Sequence, residues 1–216
     1  MTGSFITFEG GEGGGKSTQV SMLADALRAS GINVITTREP GGAPAAEEIR
    51  NLLVSGAVER WTPMAEVLLN YAARDMHVTQ VIRPALERGD WVISDRFSDS
   101  TMAYQGYGGG IDPARIAAVH AAVLGDFKPD LTLVLDLETE QGLKRSGKRL
   151  SEQDSAEDRY ERMDLEFHHR LREGFLEIAA AEPLRCRVID AATDIDIVAA
   201  NIRTAVAEKF GLSLGV

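Results

Sequence analysis

Apolar residues fall along this chain in two rhythms: short continuous runs, and longer stretches in which they recur every third or fourth position. The runs at 5–8, 32–36, 91–94, 131–135 and 187–189 predict five buried β-strands, since a strand covered on both faces has no polar side to alternate with. Between them, residues 16–29, 44–55, 63–88, 113–124, 157–181 and 194–210 predict helices. In the first of these, Val20, Leu23 and Leu27 share a stripe with Met22 beside them, and Gly31 supplies a stop signal. Asp112 is a good N-cap ahead of Pro113 at the first helical position. Strands alternating with helices predict an α/β fold, a five-stranded parallel sheet covered by helices on both faces. No repeat, low-complexity linker or break in composition divides the chain, so it reads as one domain over 1–216. The polar stretch 151–158 is the best candidate for a mobile loop. Ligands of such sheets bind at the carboxyl ends of the strands, which directs attention to the residues that follow each run.

Composition narrows this picture without redirecting it. At 216 residues and 44% apolar, the chain can bury one sizeable core. A formal net charge of −10 argues against a broad surface for nucleic acid or acidic membrane, so an anion site must come from local cationic clusters. One cysteine, Cys186, excludes an intramolecular disulfide, and its place beside a predicted strand suits a packed thiol. No apolar run reaches membrane-spanning length, and no cationic stretch leads a long apolar run near the start. The expected compartment is the cytosol.

The first predicted strand runs into Gly10, Gly11, Glu12, Gly13, Gly14, Gly15, Lys16, Ser17 and Thr18, and a helix follows at once. This fits G-x-x-x-x-G-K-[ST] in the strand–loop–helix setting that a phosphate-cradling loop requires. Glycines let successive N–H groups converge on phosphate oxygens, and the positive end of the helix faces the anion. Lys16 supplies a mobile charge for the terminal phosphates, and the Ser17 hydroxyl is placed to ligate Mg²⁺.

Further chemistry follows the second and third strands. Arg38 and Arg96 both stand at strand ends, where a guanidinium can grip phosphate with two parallel charge-assisted bonds. Beside a triphosphate loop, the pair points to a second anion site facing the first. Asp95 is either a magnesium-linked carboxylate or a structural partner for Arg96 or Lys16. Lys144, Arg145, Lys148 and Arg149 form a third cationic cluster, with Arg145 and Arg149 four apart on one helical face. Because it leads into the polar stretch, it suits a closing lid over about 142–160 that carries arginines to a transferred phosphoryl group.

In combination these motifs resemble the bacterial thymidylate kinases over nearly the whole length. The shared motifs are the phosphate loop, Arg38-Glu39-Pro40-Gly41-Gly42, Tyr71-Ala72-Ala73-Arg74, Asp95-Arg96, Ser100-Thr101, Tyr104-Gln105-Gly106 and Asp158-Arg159-Tyr160-Glu161. The resemblance implies the nucleoside monophosphate kinase variant of the P-loop fold and transfer of the γ-phosphoryl of ATP to dTMP, with Mg²⁺. It implies ATP and metal binding by Lys16 and Ser17, and a dTMP phosphate held by Arg96 and Arg38. Arg74 would meet the base, Ser100, Thr101 and Gln105 would line the nucleoside pocket, and Tyr104 would exclude a 2′-hydroxyl. A homodimer is implied as well. One class within the family has a small residue in the loop and arginines in the lid. With Glu12-Gly13-Gly14 in the loop and Arg145, Lys148 and Arg149 in the lid, this chain resembles that class. Arg149 is then the transition-state cation, and Glu12 lies near the acceptor sugar and phosphate. Asn70 stands where many members have a thymine-stacking phenylalanine, so that either Tyr71 takes over the stacking or the site is weaker. Gly109 replaces an arginine that often follows the Tyr-Gln-Gly motif.

Other readings fit less well. The nearest alternative is another P-loop kinase, acting on a nucleoside or on a different nucleoside monophosphate; a nucleoside acceptor lacks the phosphate that Arg38 and Arg96 would grip. A GTPase-type switch predicts an Asn-Lys-x-Asp motif, which does not occur. A DNA-dependent ATPase is disfavoured by the charge balance.

Overall fold

The computed structural model describes residues 3–153 and 159–214, apart from the side chains of residues 149–153. Strand β1 (Phe5–Glu9) buries all of its residues, and it lies at the centre of the sheet. Around it stand β2 (Val34–Arg38), β3 (Trp91–Asp95), β4 (Leu131–Asp136) and β5 (Cys186–Asp190), in the order β2-β3-β1-β4-β5. All four pairings are parallel, as the apolar runs predict. The chain first builds out to one side of β1 and then to the other, so the loop after β1 opens onto the crevice where strand order reverses.

Alternation along β1 assigns the two faces. Ile6 and Phe8 pack with Leu23 and Leu27 of helix α1 (Lys16–Ala29) and with Val198 and Ile202 of the last helix, Ile195–Phe210. Phe5 points to the opposite face, against Val67, Phe97 and Ile116. Glu9 shares that second face, so a carboxylate is buried directly beneath the crevice.

Several boundaries differ from the sequence pattern for local reasons. The segment 63–88 is one rod with a π-helical turn at Val78–Ile82 between α3 (Pro63–His77) and α4 (Arg83–Glu87). Pro84 cannot donate to a carbonyl one turn back, and the widened turn immediately before it absorbs that mismatch. A short helix α5 (Ser98–Thr101) continues as a π-helical stretch, Met102–Gly108, which apolar periodicity does not reveal. After α6 (Pro113–Leu124), helix α7 (Thr139–Gln153) carries the cationic cluster. Helix α8 begins at Leu165 rather than 157, because the Asp164 carboxylate accepts the Phe167 N–H at 2.7 Å and caps it there. The sequence-predicted mobile stretch 151–158 falls largely outside the described residues.

Candidate active site

The phosphate loop joins β1 to α1, with Gly13 and Gly15 both at positive φ. Gly13 is required for a second reason. A Cβ there would strike the backbone of Gly142 on α7, and one on Gly142 would strike the Glu12 carbonyl. The loop and the base of the cationic helix therefore approach at backbone distance. The Lys16 ammonium donates to the Gly10 and Gly11 carbonyls at 3.2 and 2.6 Å. Burial, with Arg96 nearby, lowers its pKa to about 8. At neutral pH it stays largely charged and is poised for an anion. The Ser17 hydroxyl donates to Asp95 at 2.7 Å. Two hard oxygen donors at the mouth of the loop suit Mg²⁺ better than a softer metal.

Two clefts meet above the strand ends. One, of about 730 Å³, is lined by Gly13, Lys16, Ser17, Thr18, Arg38 and Asp95. The other, of about 780 Å³, is lined by Asn70, Arg74, Ser100, Thr101, Tyr104 and Gln105. Glu12, Glu39, Arg50 and Arg96 line both, so they mark the junction.

Arg96 holds the centre in a left-handed conformation, φ 72°, which a non-glycine residue adopts only where its surroundings impose it. Its guanidinium donates to the Gly10 carbonyl at 2.9 Å, to Ser100 Oγ at 3.1 Å and to Glu12 Oε1 at 2.9 Å. It also lies over the Tyr104 ring at 5.0 Å, while the Tyr104 hydroxyl donates to Glu12. Beneath, Glu9 accepts the Phe97 N–H at 2.8 Å and the Ser100 hydroxyl at 2.5 Å. Burial, helped by the nearby Asp99 charge, raises the Glu9 pKa to about 7. Arg38 lies on the loop side of the junction, half exposed and bonded to Glu47 at 3.0 Å.

At the far end, Arg74 is almost fully buried and pairs with Glu39 at 2.7 Å. It also donates to the Phe97 carbonyl and to Thr101 Oγ1, both at 3.1 Å. Its remaining terminal nitrogen, Nη1, is buried and has no hydrogen-bond partner among the described residues. Glu39 in turn meets His77 Nδ1 at 2.9 Å. Because a carboxylate only accepts, the ring donates there, and its Nε2 shares a hydrogen bond with the Thr37 hydroxyl 2.7 Å away.

Tyr71 does not line this cleft. One residue along α3 is a rotation of about 100°, which turns its ring into the core. It packs there with Phe5 and Val67, meets His120 edge-on, and supports the Arg74 guanidinium from 4.7 Å. Asn70 faces the cleft instead. The alternative stacking partner expected at Tyr71 is therefore corrected to a core residue beneath Arg74.

On α7, Arg145 is exposed and donates to the Ala191 carbonyl at 3.1 Å, away from both clefts. The backbone of Arg149 continues the same helix, and its side chain lies outside the described residues. Residues beyond α7 return to the cleft lined by Arg74 and Gln105. Tyr160 and Glu161 line it, and Glu161 accepts the Ser146 hydroxyl at 2.9 Å. Arg159 is buried and donates to the carbonyls of Leu53, Ala57 and Val58 and to the Glu66 carboxylate.

Glu9, Arg50 and Glu66 are positions that the sequence reading passed over, and Glu39 entered it only within a motif. A signal existed for part of this set. Glu66, Asn70, Arg74 and His77 fall at helical spacing on α3, and all four are buried. A polar stripe on a helix whose other buried positions are apolar marks a site.

A family model described as thymidylate kinase matches residues 8–202. The thymidylate kinase of Caulobacter vibrioides is 55% identical over 210 residues, covering 97% of this chain and 99% of that protein. That of Nitrobacter hamburgensis is 49% identical, over 97% of this chain and 90% of its relative. Among solved structures, the Ehrlichia chaffeensis thymidylate kinase superposes with a TM-score of 0.76 at 36% identity, covering 95% of this chain and 99% of that one.

Proposed function

The chain belongs to the thymidylate kinase family and phosphorylates dTMP to dTDP, and on that premise we propose how its residues share the reaction. ATP binds on the loop-side cleft and dTMP in the other, with the transferred phosphoryl group at their junction. One observation carries this division: the two clefts share Arg96 and Glu12, so an acceptor phosphate in one and a terminal phosphate in the other would both reach the Arg96 guanidinium. Phosphoryl transfer needs little beyond such positioning and charge neutralisation.

Lys16 and the loop amides hold the donor phosphates, and Ser17 with Asp95 would hold Mg²⁺. Bound there, the metal would neutralise charge building between the donor phosphates. Arg96 and, from the loop side, Arg38 orient the acceptor phosphate. Arg74 addresses the base with its unpartnered Nη1, and Ser100, Thr101 and Gln105 line the nucleoside pocket. Tyr104, hydrogen-bonded to Glu12, sits where a ring against the sugar leaves no room for a 2′-hydroxyl. Helix α7 serves as the lid, bringing Arg149 and Arg145 to the phosphates on closing. The approach of Gly13 and Gly142 supports a lid hinged on the loop itself.

A homodimer is supported by α6. It is rich in alanine and valine, yet only Ile116 and Leu124 are buried, and Leu68 on the neighbouring α3 is 55% exposed. An apolar face of this kind fits a second copy. No helix among the described residues is long and apolar enough to cross a membrane, and the reading puts the enzyme in the cytoplasm. The test is turnover of a panel of nucleoside monophosphates with ATP, scored by product. Turnover of dCMP, dGMP or UMP without dTMP would overturn it.

A further inference from the structure

We propose that Glu66 determines which pyrimidine the acceptor cleft takes, by fixing the orientation of the Gln105 amide. This rests on the reading of that cleft as the dTMP site. Glu66 touches no cleft surface itself, so it is a positioning residue.

The inference follows the polarity of a chain of hydrogen bonds. Arg159 can only donate, and its Nη2 donates to Glu66 Oε1. Glu66 can only accept, and its Oε2 takes Gln105 Nε2 at 2.8 Å, with the Tyr160 hydroxyl at 3.2 Å. The Gln105 amino group is thereby committed to Glu66, with Tyr160 Oη also 3.4 Å away. The opposite side of that amide, the carbonyl oxygen, has no hydrogen-bond partner among the described residues. Gln105 lines the cleft, so the cleft wall receives an acceptor. Arg74 lines the same cleft, and its buried Nη1 is a donor with no hydrogen-bond partner among the described residues.

One donor beside one acceptor is a code for the base edge. Thymine and uracil present O4, an acceptor, next to N3–H, a donor. Cytosine presents the reverse, an amino group next to a bare N3. Fixed by Glu66, the wall matches the first pair and opposes the second.

An isosteric substitution should invert half of the code. In Glu66→Gln, Arg159 still requires an acceptor and claims the carbonyl oxygen of the introduced amide. The introduced amino group then faces Gln105, whose amide must turn to present its own oxygen. Its amino group then points into the cleft. Arg159 keeps its bonds to the Leu53, Ala57 and Val58 carbonyls, which hold it in place through the change.

The experiment measures kcat/KM for dTMP and for dCMP with ATP, in the wild type and in Glu66→Gln. The expected result is a fall of at least about tenfold in the dTMP to dCMP ratio, mostly through KM, because a buried polar group facing the wrong partner discriminates strongly. A folded variant whose two rates fall together, with the ratio within about twofold of wild type, would overturn the proposal. Should the wild type itself prefer another monophosphate, the reading of the cleft fails instead. The side-chain amide of Gln105 in the wild type gives a second measurement that needs no variant. The proposal expects its NMR signals to be protected without ligand and little shifted by dTMP. A large shift, with the amide protons bonded to the base, would overturn it.

Discussion

Replacing Glu39 with alanine tests the buried end of the cleft most directly. Arg74 and Glu39 are 2% and 3% exposed and 2.7 Å apart, so water cannot substitute for either partner. Burial opposes the Arg74 charge, and Glu39 is the foremost group that sustains it. Breaking such a pair from one side costs about 3–5 kcal/mol, because it strands a charge. For a chain of this length each kcal/mol shifts Tm by about 2–4 °C, so Glu39→Ala should melt about 6–20 °C below wild type. The loss should also loosen Arg74 and raise the KM for dTMP. The decisive assay is a double-mutant cycle with Arg74→Met, read by calorimetry and urea unfolding. If Glu39 acts by neutralising Arg74, the double variant should be less destabilised than the sum of the singles by about 2–3 kcal/mol. Additive losses, or a cost below about 1 kcal/mol for Glu39→Ala, would refute the reasoning, since either would mean that the pair is not coupled.

Other consequences follow from the same geometry. Arg149→Ala should lower kcat about a hundredfold with little change in KM for ATP, as loss of a transition-state cation does; a KM effect alone would make it a binding residue. Ser17→Ala should raise the Mg²⁺ concentration for half-maximal rate by about tenfold or more, since even outer-shell changes weaken metal sites that much. Because the Glu9 pKa in the fold is about 7, above the ordinary value of 4.5, the native state holds the extra proton, and stability falls as pH rises through that window. Urea unfolding between pH 5 and 8 should show this slope, and Glu9→Gln should flatten it. Leu68→Asp should give a monomer by light scattering if α3 and α6 form the dimer face; a wild-type monomer would refute that.

The sheet and the first loop were legible in the sequence because their signals are local. A strand buried on both faces writes itself as an apolar run, and Gly10 to Thr18 carries its own spacing. The rest of the site depends on contacts between distant segments. Glu66 finds its partners Gln105 and Arg159 at separations of 39 and 93 residues, which no local pattern encodes. The π-helical stretch at Met102–Gly108 was likewise invisible, because a widened turn shifts the periodicity on which helix reading relies. It also carries Tyr104 and Gln105. Tyr71 failed for a simpler reason: resemblance suggested an aromatic near position 70, but a neighbour on a helix faces elsewhere.

The cations of the site divide into two kinds, and their burial fits what each must recognise. Arg74 and Glu39 are sealed from solvent, so the pair persists whatever binds. On the proposed reading it serves the base as a directional donor with its charge already balanced, which suits a neutral group. Arg96 and Glu12 are each 15% exposed at 2.9 Å, and Arg38 and Glu47 are more exposed still. On the proposed reading, a pair that water can reach exchanges partners more readily than a sealed one, so a phosphate dianion can displace a carboxylate that has meanwhile kept the guanidinium oriented. For a chain with a net charge of −10, this arrangement reconciles an acidic protein with an anionic substrate. The carboxylates that repel phosphate at long range are the ones that preorganise its binding groups at short range, which keeps reorganisation small when the phosphates arrive. Glu12 is the residue on which the exchange turns, because it holds both Arg96 and Tyr104. On the proposed reading, once phosphate takes Arg96, Glu12 keeps the Tyr104 hydroxyl, beside the place assigned to the acceptor sugar.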